Sequence, residues 1–369
     1  MVKTFLPGDL STMKVIDDIY SKLSENVLKE IQGEQLQCKY KNDTIFLDTK
    51  EKIKTFLLSK NFYEYKFNEE GNFYQDFIFL RGNIKVDNLL SGNTDSEEIK
   101  VFLRKYPKEQ YRNEYNILGT DYKGKKISEI RQQESDSFPE SAEYQLIKKA
   151  FDYGKIHADD RNSILNAMDV PVCPYCNMNY TIKYGEERNA ADIDHFYIKS
   201  RYPQYALCLY NFVPACPVCN SKLKGKKDTT RQTHVFPHEE SYGKEAEFEI
   251  LNLIELSSGK SEKAELKLIN HGNNPKIDNS VEIFKINELY DFHSSYAKDL
   301  LDKVWIYNDS YMEELKRFIS EKSEDTKGIK DIKDIKELIF GRDEPEEIYA
   351  RKSLGKLRMD LLRQLGVYE

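Results

Sequence analysis

The sequence has no long apolar run, few cysteines and no glycine-rich phosphate loop. No stretch approaches the ~18 uninterrupted apolar residues of a membrane span, which argues against a membrane-spanning protein. The opening stretch "MVKTFLPGDLSTMK" holds two lysines and no apolar segment of signal-peptide length, so we expect a cytoplasmic location. Because the complete pattern Gly-x-x-x-x-Gly-Lys-Ser/Thr is missing, an ATPase activity would have to come from another chain.

Positive charge is also in deficit over the chain as a whole. The formal net charge of −7 argues against a protein that coats nucleic acid over its entire surface. A local basic patch on an acidic body remains compatible with that total. The charge therefore limits the kind of nucleic-acid contact without excluding one.

The chain is long enough for more than one domain. A length of 369 residues predicts two or three domains, and 39% apolar residues with 25 tyrosines and 19 phenylalanines can fill their cores. We predict an α+β protein in three parts. These are a mixed region over 1–167 for recognition or partner binding, a small module over 168–236, and a mostly helical region over 237–369.

Hydrophobic periodicity predicts several elements. A helix is expected over 11–33, with Ser11 as its cap and Gly33 at its end. The aromatic and β-branched stretch 72–86 indicates a strand or hairpin. Further helices are predicted at 141–153, 163–168, 287–307, 328–341 and 346–365.

Four of the six cysteines form two Cys-x-x-Cys pairs with 39 residues between them. Cys173 and Cys176 make the first pair, and Cys216 and Cys219 make the second. Two such pairs complete a tetrahedral zinc site with no open position, which makes the zinc structural. Redox pairs or simply buried cysteines are the alternatives. Cys208 lies alone in an apolar stretch and is interpreted as a core residue.

The segment between the pairs predicts a strand–strand–helix unit. "ADIDHF" indicates a short strand that ends in Asp194 and His195, and "YALCLYNF" indicates a second strand that carries Asn211. Pro217 suits the first turn of a helix, which would place Asn220 near its start. The predicted unit is therefore a ββα arrangement with a cysteine pair at each end.

This stretch resembles the zinc-bound HNH endonucleases. Their pattern is Cys-x-x-Cys, Asp-His, Asn, and then Cys-x-x-Cys-Asn followed by lysines, and here it covers about 60 of 369 residues. The wording "DHFYIKSRYPQYALCLYNFVPACPVCN" is also similar to nucleases of prokaryotic anti-phage systems, including Septu-type subunits that work beside an ATPase. The resemblance implies a ββα-metal nuclease module and a partner ATPase.

The resemblance implies a role for each polar position of the motif. Asp194 and Asn220 would be ligands of a catalytic Mg²⁺ or Mn²⁺, and His195 would be the general base. Asn211 would hold the loop that presents His195. The family pattern has a proline three residues after the histidine, where this chain has Ile198, so this loop is expected to run differently.

These residue types suit phosphodiester hydrolysis. The reaction needs a base near neutral pH, which imidazole supplies, and a cation that offsets transition-state charge. Aspartate and asparagine are hard oxygen ligands of the kind that Mg²⁺ and Mn²⁺ prefer. Asp192 could face the same side of the strand as Asp194 and act as a spare ligand, although a plain surface role is the more frequent one.

A basic segment follows the histidine. Between 195 and 231 there are seven basic residues and one acidic residue, a formal charge of +6, and four tyrosines interleave with them. Such a segment suits contact with a phosphate backbone, while a solvated lysine-rich helix end is the plainer interpretation. The residues predicted to bind nucleic acid are Lys199, Arg201, Lys222 and Lys224.

These patterns predict a metal-dependent HNH endonuclease that cuts DNA, with structural zinc and a catalytic divalent cation. Three alternatives stay open. The chain could be a zinc-held nucleic-acid-binding module without catalysis, a nuclease that cuts RNA, or a nuclease that is inert until it joins an ATPase. His234 and His238 have metal-like spacing, but Pro237 between them favours loop structure.

Overall fold

The chain divides into two compact units, each built from separated stretches of sequence. A computed structural model describes residues 1–4, 6–31, 33–34, 36–67, 73–78, 80, 85–92, 97–134, 142–184, 188–322 and 331–368. Unit 1 comprises Met1–Ile16, Ala158–Phe196 and Phe212–Glu369, and unit 2 comprises Asp17–His157 and Tyr197–Asn211. The three-part division expected from the sequence stays a prediction, and its boundary near 236 falls inside unit 1. Among the described helices, none has the length and apolarity needed to cross a membrane.

The first helix, α1 (Lys14–Ile31), confirms the predicted periodicity. Gly33 follows it with a φ of +96°, which only glycine adopts without strain. The start differs from the prediction, because the Ser11 hydroxyl donates to Asp9 Oδ1 at 2.8 Å instead of capping the helix. The predicted apolar face is buried: Ile16, Ile19, Leu23, Val27 and Ile31.

Unit 2 contains a three-stranded antiparallel sheet and a helical cluster. Strand β1 (Gln37–Tyr40) lies between β2 (Asp43–Phe46) and β3 (Tyr65–Phe67). The Phe56 ring packs against the Tyr65 ring at 5.0 Å. The helices of this unit that follow α1 are α2 (Lys50–Leu57), α3 (Phe73–Ile78), α4 (Val86–Ser91), α5 (Glu97–Lys105), α6 (Arg112–Asp121), α7 (Ile127–Glu134) and α8 (Ala142–Ala150).

The strand predicted over 72–86 is wrong where the structure describes it, because Phe73–Ile78 is helical. Residues 72, 79 and 81–84 lie outside the described residues. Phe73 and Phe77 are four apart and both buried, so they occupy one helix face within an aromatic core. Burial of that face outweighs the strand propensity of the individual residues.

Unit 1 holds the cysteine pairs, three two-stranded antiparallel sheets and the later helices of the chain. Strand β4 (Lys183–Tyr184) pairs with β5 (Arg188–Asn189), and β6 (Asp192–His195) pairs with β7 (Phe212–Ala215), both antiparallel. A π-type helix over Val218–Lys224 follows β7. The α-helices are α9 (Ala158–Met168), α10 (Leu253–Ser257), α11 (Pro275–Ile283), α12 (Ile286–Asp291), α13 (Ser294–Ile306), α14 (Asp309–Lys322), α15 (Ile332–Phe340), α16 (Glu346–Tyr349) and α17 (Gly355–Gln364).

The C-terminal part of unit 1 is mostly helical, as predicted, but it also contains a hairpin that was not. Strand β8 (Ala246–Ile250) pairs antiparallel with β9 (Leu266–Asn270). The sequence AEFEI alternates apolar and acidic residues, and its apolar members are the buried ones. Helix α17 is joined to this hairpin, because Asp360 Oδ2 accepts a hydrogen bond from the Phe248 backbone N–H at 3.0 Å.

Helix α17 is also fastened to the first cysteine pair. The Asn177 side chain accepts from the Lys356 N–H at 2.9 Å and donates to the Ala350 carbonyl at 3.1 Å. Gly355 permits the close approach of the start of α17 to the end of α16, because a Cβ there would lie 1.9 Å from the Tyr349 carbonyl oxygen. The last part of the chain thus supports the segment that carries Cys173 and Cys176.

Candidate metal centre and active site

The four predicted cysteines lie together and are buried. Their sulfur atoms are all within 4.8 Å of one another, and no other group of three or more candidate ligands is found in the described part of the chain. A zinc ion bound tetrahedrally at ~2.3 Å needs sulfur–sulfur distances of roughly 3.8 Å. The cysteine set therefore fits a metal such as zinc. Cys208 is buried elsewhere, as expected for a core residue.

Backbone hydrogen bonds shape both cysteine pairs. The Asn177 N–H donates to the Cys173 carbonyl at 2.8 Å, and Asn177 takes a positive φ of 51°, which turns the chain sharply. Asn179 Nδ2 donates to Cys216 Sγ at 3.3 Å, and the Cys219 N–H donates to the same sulfur at 3.5 Å. Hydrogen bonds from the other thiols, Cys173 first, hold the pKa of Cys216 well below its ordinary value. These contacts favour a thiolate at Cys216, the form that binds metal.

Between the two pairs, strand β6 ends at the predicted Asp-His dipeptide. Asp194 lies opposite Val213 and His195 opposite Phe212 in the antiparallel register with β7. The second strand begins at Phe212 and does not carry Asn211, which closes a short 3₁₀ turn before it. The predicted order of two strands and a helix is therefore present, with the second strand shifted past the asparagine.

Asp194 is enclosed by two partners from other parts of unit 1. Its carboxylate is 3% exposed. Oδ2 accepts the Tyr175 hydroxyl at 2.6 Å, and Oδ1 accepts the Lys224 ammonium at 2.8 Å. The Lys224 ammonium also donates to the His195 carbonyl at 2.5 Å. The metal-ligand role of Asp194 stays a prediction, because both oxygens already have protein partners.

His195 is 7% exposed, and its ring meets the Phe212 ring edge-on at 5.2 Å. The T-shaped contact fixes the ring orientation at the end of β6. A histidine in this position is well oriented but largely shielded from solvent. Its role as general base stays a prediction.

Asn220 lies on the Val218–Lys224 helix beside strand β6. Its Nδ2 donates to Asp192 Oδ2 at 3.1 Å, so the helix brings this amide to the same strand that carries Asp194. Asp192 and Asp194 are two apart on that strand and share a face. Two carboxylates and an amide are hard oxygen donors, which makes this donor set chemically suited to Mg²⁺ or Mn²⁺.

Asn211 lies in unit 2 and is completely buried. Its Oδ1 accepts from the Tyr197 N–H at 2.7 Å, and its Nδ2 donates to the carbonyls of Tyr197 and Tyr205, both at 3.0 Å. Three hydrogen bonds from one side chain hold the turn that begins two residues after His195. The role predicted for Asn211 in presenting that histidine is not tested by these contacts.

The four predicted nucleic-acid contacts have different environments. Lys222 is exposed on unit 1. On unit 2, exposed Lys199 lies 4.8 Å from the Tyr153 ring centroid, and Arg201 lies 3.8 Å from Asp76. Lys224 is 1% exposed and bonded to Asp194, and its role in nucleic-acid binding stays a prediction. A backbone phosphate cannot reach that ammonium in this structure.

The paired histidines at 234 and 238 serve the fold. His238 Nε2 lies 2.7 Å from the Phe212 carbonyl, and its Nδ1 lies 2.7 Å from Thr4 Oγ1. His234 Nδ1 lies 2.8 Å from Thr233 Oγ1. Burial lowers the pKa of His238 to about 4, so the ring is neutral near pH 7. The loop interpretation of these residues is consistent with these contacts.

Sequence reasoning missed Tyr175 and the structural use of Lys224. Tyr175 lies inside the first Cys-x-x-Cys pair, and its hydroxyl reaches a carboxylate 19 residues further on. Lys224 reaches the same carboxylate from 30 residues further on. The only available signal was the position of Lys224 as the last residue before Gly225, at a helix end.

Fold and site together define an α+β protein with a four-cysteine cluster beside a two-stranded hairpin and a helix. No protein-family model matches the chain, and neither a curated protein nor a solved structure shows significant similarity to it. The resemblance to HNH endonucleases therefore rests on the motif residues of the sequence.

Proposed function

We propose that the chain is a metal-dependent HNH endonuclease that hydrolyses phosphodiester bonds in DNA. The observation that carries the proposal is the β6–β7 hairpin with the Val218–Lys224 helix, flanked by the four cysteines. In this arrangement Asp192 and Asp194 share one face of β6, Asn220 donates to Asp192, and His195 follows Asp194 at the strand end.

In this proposal each residue has one chemical task. The His195 imidazole accepts a proton from the attacking water, since imidazole titrates near neutral pH. Asp194 and Asn220 would hold a divalent cation, with Asp192 beside them. When bound, such a cation offsets the negative charge that develops on the phosphoryl oxygens. Tyr175 keeps the Asp194 carboxylate oriented through its hydroxyl.

The substrate contact would use the exposed lysines that surround this helix end. Lys222, Lys226 and Lys227 are all exposed on unit 1, within a chain whose net charge is −7. A local cluster of lysines suits a phosphate backbone and attracts it more strongly at low salt. The same chemistry applies to RNA, so DNA and RNA are to be assayed in parallel.

We further propose that a partner ATPase activates the nuclease, as in the anti-phage systems whose nuclease subunits the motif resembles. The sequence contains no complete Gly-x-x-x-x-Gly-Lys-Ser/Thr loop of its own. Nicking that begins only when the product of a neighbouring gene and ATP are added would support this role. Full activity of the isolated chain would argue against it.

A second candidate is a zinc-held nucleic-acid-binding module without catalysis. The enclosure of Asp194 by Tyr175 and Lys224 and the 7% exposure of His195 favour it. Such a module would bind nucleic acid through its lysines and leave every phosphodiester bond intact. Cleavage therefore separates the two candidates.

The deciding experiment is nicking of supercoiled plasmid in Mg²⁺ or Mn²⁺, with a labelled RNA of matched length beside it. The His195→Ala variant is expected to lose ~10²-fold or more in rate while its DNA binding changes little. His271→Ala is the matched control, since His271 is a solvent-exposed histidine of the same unit that pairs with Glu249. Equal rates for wild type and His195→Ala would refute the proposal. Binding without any wild-type cleavage, with or without the partner, would favour the second candidate.

A further inference from the structure

Lys224 places a buried positive charge between the two residues of the Asp-His dipeptide. The side chain is 1% exposed, and its ammonium lies 2.8 Å from Asp194 Oδ1 and 2.5 Å from the His195 carbonyl oxygen. The second oxygen of Asp194 accepts the Tyr175 hydroxyl at 2.6 Å. The ammonium thus has the position and the partners that a bound cation would have.

The negative charges of Asp192 and Asp194 can balance one divalent cation, but not a divalent cation together with the Lys224 ammonium. Asp192 and Asp194 share one face of β6, and Asp192 Oδ2 accepts from Asn220. Their formal charges and that of Lys224 sum to −1. A divalent cation in place of the ammonium would bring this group to neutrality, whereas a divalent cation beside it would leave an excess positive charge in a buried site.

We propose that Lys224 occupies the cation position of the site in the metal-free protein, and that a divalent cation binds there by displacing its ammonium. This inference rests on the proposed nuclease function. In the metal-free protein Lys224 acts as a positioning residue, because its ammonium compensates the negative charge of Asp194 and holds the His195 carbonyl in place. An uncompensated buried carboxylate would otherwise be costly.

The position of Lys224 in the chain suits such an exchange. It is the last residue of the Val218–Lys224 helix, and Gly225 follows with a φ of +53°. The next two lysines, Lys226 and Lys227, are already exposed. Release of the ammonium therefore requires a change in the final turn of one short helix and no rearrangement of strand β6.

The first test measures lysine reactivity in the wild-type protein by acylation and mass spectrometry, with and without Mn²⁺. Lys356 is the matched control, because it is also 1% exposed and its ammonium lies 3.0 Å from Asp360. Both lysines are expected to be protected without metal. Mn²⁺ is expected to raise the rate at Lys224 by ~10-fold or more through local opening, while Lys356 stays protected. Protection of Lys224 under saturating Mn²⁺ would overturn the inference.

The second test measures Mn²⁺ affinity by calorimetry or electron paramagnetic resonance in zinc-loaded protein. Lys224→Met removes the competing charge and is expected to tighten Mn²⁺ binding by ~10-fold or more. Lys260→Met, at an exposed lysine elsewhere in unit 1, should leave the affinity unchanged. Unchanged or weaker binding in folded Lys224→Met would overturn the inference. If that variant does not fold, the wild-type reactivity decides.

The two proposals fail differently. If wild-type protein nicks DNA with Mn²⁺ while Lys224 stays protected, only the proposed displacement of the Lys224 ammonium by metal is refuted. If wild-type protein releases Lys224 on Mn²⁺ binding and never nicks DNA, the proposed displacement stands and the proposed nuclease function is refuted. A wild type that binds no Mn²⁺ would overturn both.

Discussion

The Tyr290 hydroxyl donates a hydrogen bond of 2.6 Å to the Cys176 carbonyl, across 114 residues of sequence. Burial raises the pKa of Tyr290 well above its ordinary value, so the hydroxyl remains a donor over the whole physiological range. The Tyr290 ring stacks on Phe248 with 4.1 Å between the ring centroids. One side chain thus connects the first cysteine pair with the β8–β9 hairpin, and the cysteine cluster belongs to the core of unit 1.

Tyr290→Phe should destabilise the protein while its zinc content stays unchanged. The variant keeps the ring stack but leaves the buried Cys176 carbonyl without its donor, which costs about 1–3 kcal/mol of unfolding free energy. Urea denaturation measures the loss. Tyr311→Phe, at a half-exposed ring on α14, should change stability by less than about 0.5 kcal/mol. Equal losses of unfolding free energy in Tyr290→Phe and Tyr311→Phe would show that the hydrogen bond from Tyr290 to Cys176 does not stabilise the protein.

Cys216→Ser should remove zinc and unfold the region around the cluster. Zinc binding at a four-cysteine site contributes on the order of 10 kcal/mol to folding, more than the net stability of most domains. Zinc per chain and the thermal melt are the measurements. Cys208→Ala removes an equally buried sulfur outside the cluster and should keep the full zinc content. A folded, zinc-free Cys216→Ser protein would show that the cluster is not a structural metal site.

His238 should make stability depend on pH. Its pKa is lowered to about 4 in the folded protein, against ~6.5 for an unperturbed histidine, so the unfolded chain binds more protons between these values. The contribution of neutral His238 is complete above pH 6.5 and is lost as pH falls toward 4, on the order of 3 kcal/mol in total. Asp360, whose burial raises its pKa to about 6, opposes this trend.

The comparison with His238→Gln isolates the histidine from Asp360. Glutamine can bond to both neighbours but does not titrate in this range. The stability advantage of the wild type over the variant should therefore shrink steadily from pH 6.5 to pH 4 in urea denaturation. An advantage that stays constant over that interval would mean that His238 does not titrate as its burial implies.

Asn220→Ala and His195→Ala should lose activity for different reasons. The asparagine variant should bind the divalent cation more weakly, so high Mn²⁺ should restore part of its nicking rate. His195→Ala lacks a proton acceptor, and no Mn²⁺ concentration should restore it. Nicking rates over a Mn²⁺ series compare the two. Equal rescue of both variants would argue against separate metal and base roles.

Local signals in the sequence account for the elements that were predicted correctly. The spacing of the cysteines, the strand at Asp194 and the helix after Pro217 each depend on a few adjacent residues. The tight cysteine pairs also limit how the intervening segment can run. The fold class and the zinc-type cluster therefore followed from pattern alone.

The errors come from interactions between distant residues. Phe73 and Phe77 have strand propensity, yet they form a helix because an aromatic core from later helices buries one face. The ion pair of Lys224 with Asp194 was not predicted, because nothing in the neighbourhood of Lys224 reveals a carboxylate 30 residues earlier. Propensity and charge describe a residue alone, whereas its partner decides where it lies.

The Asn177 contacts join two parts of the chain that the ribosome makes at different times. Asn177 bonds to the carbonyl of Ala350, 173 residues later, and to the start of α17. At about 5–20 residues per second the ribosome needs roughly 10–35 s to make the intervening chain. The first cysteine pair is therefore made well before the helix that supports it, and it lacks that support until residue 356 has been synthesised.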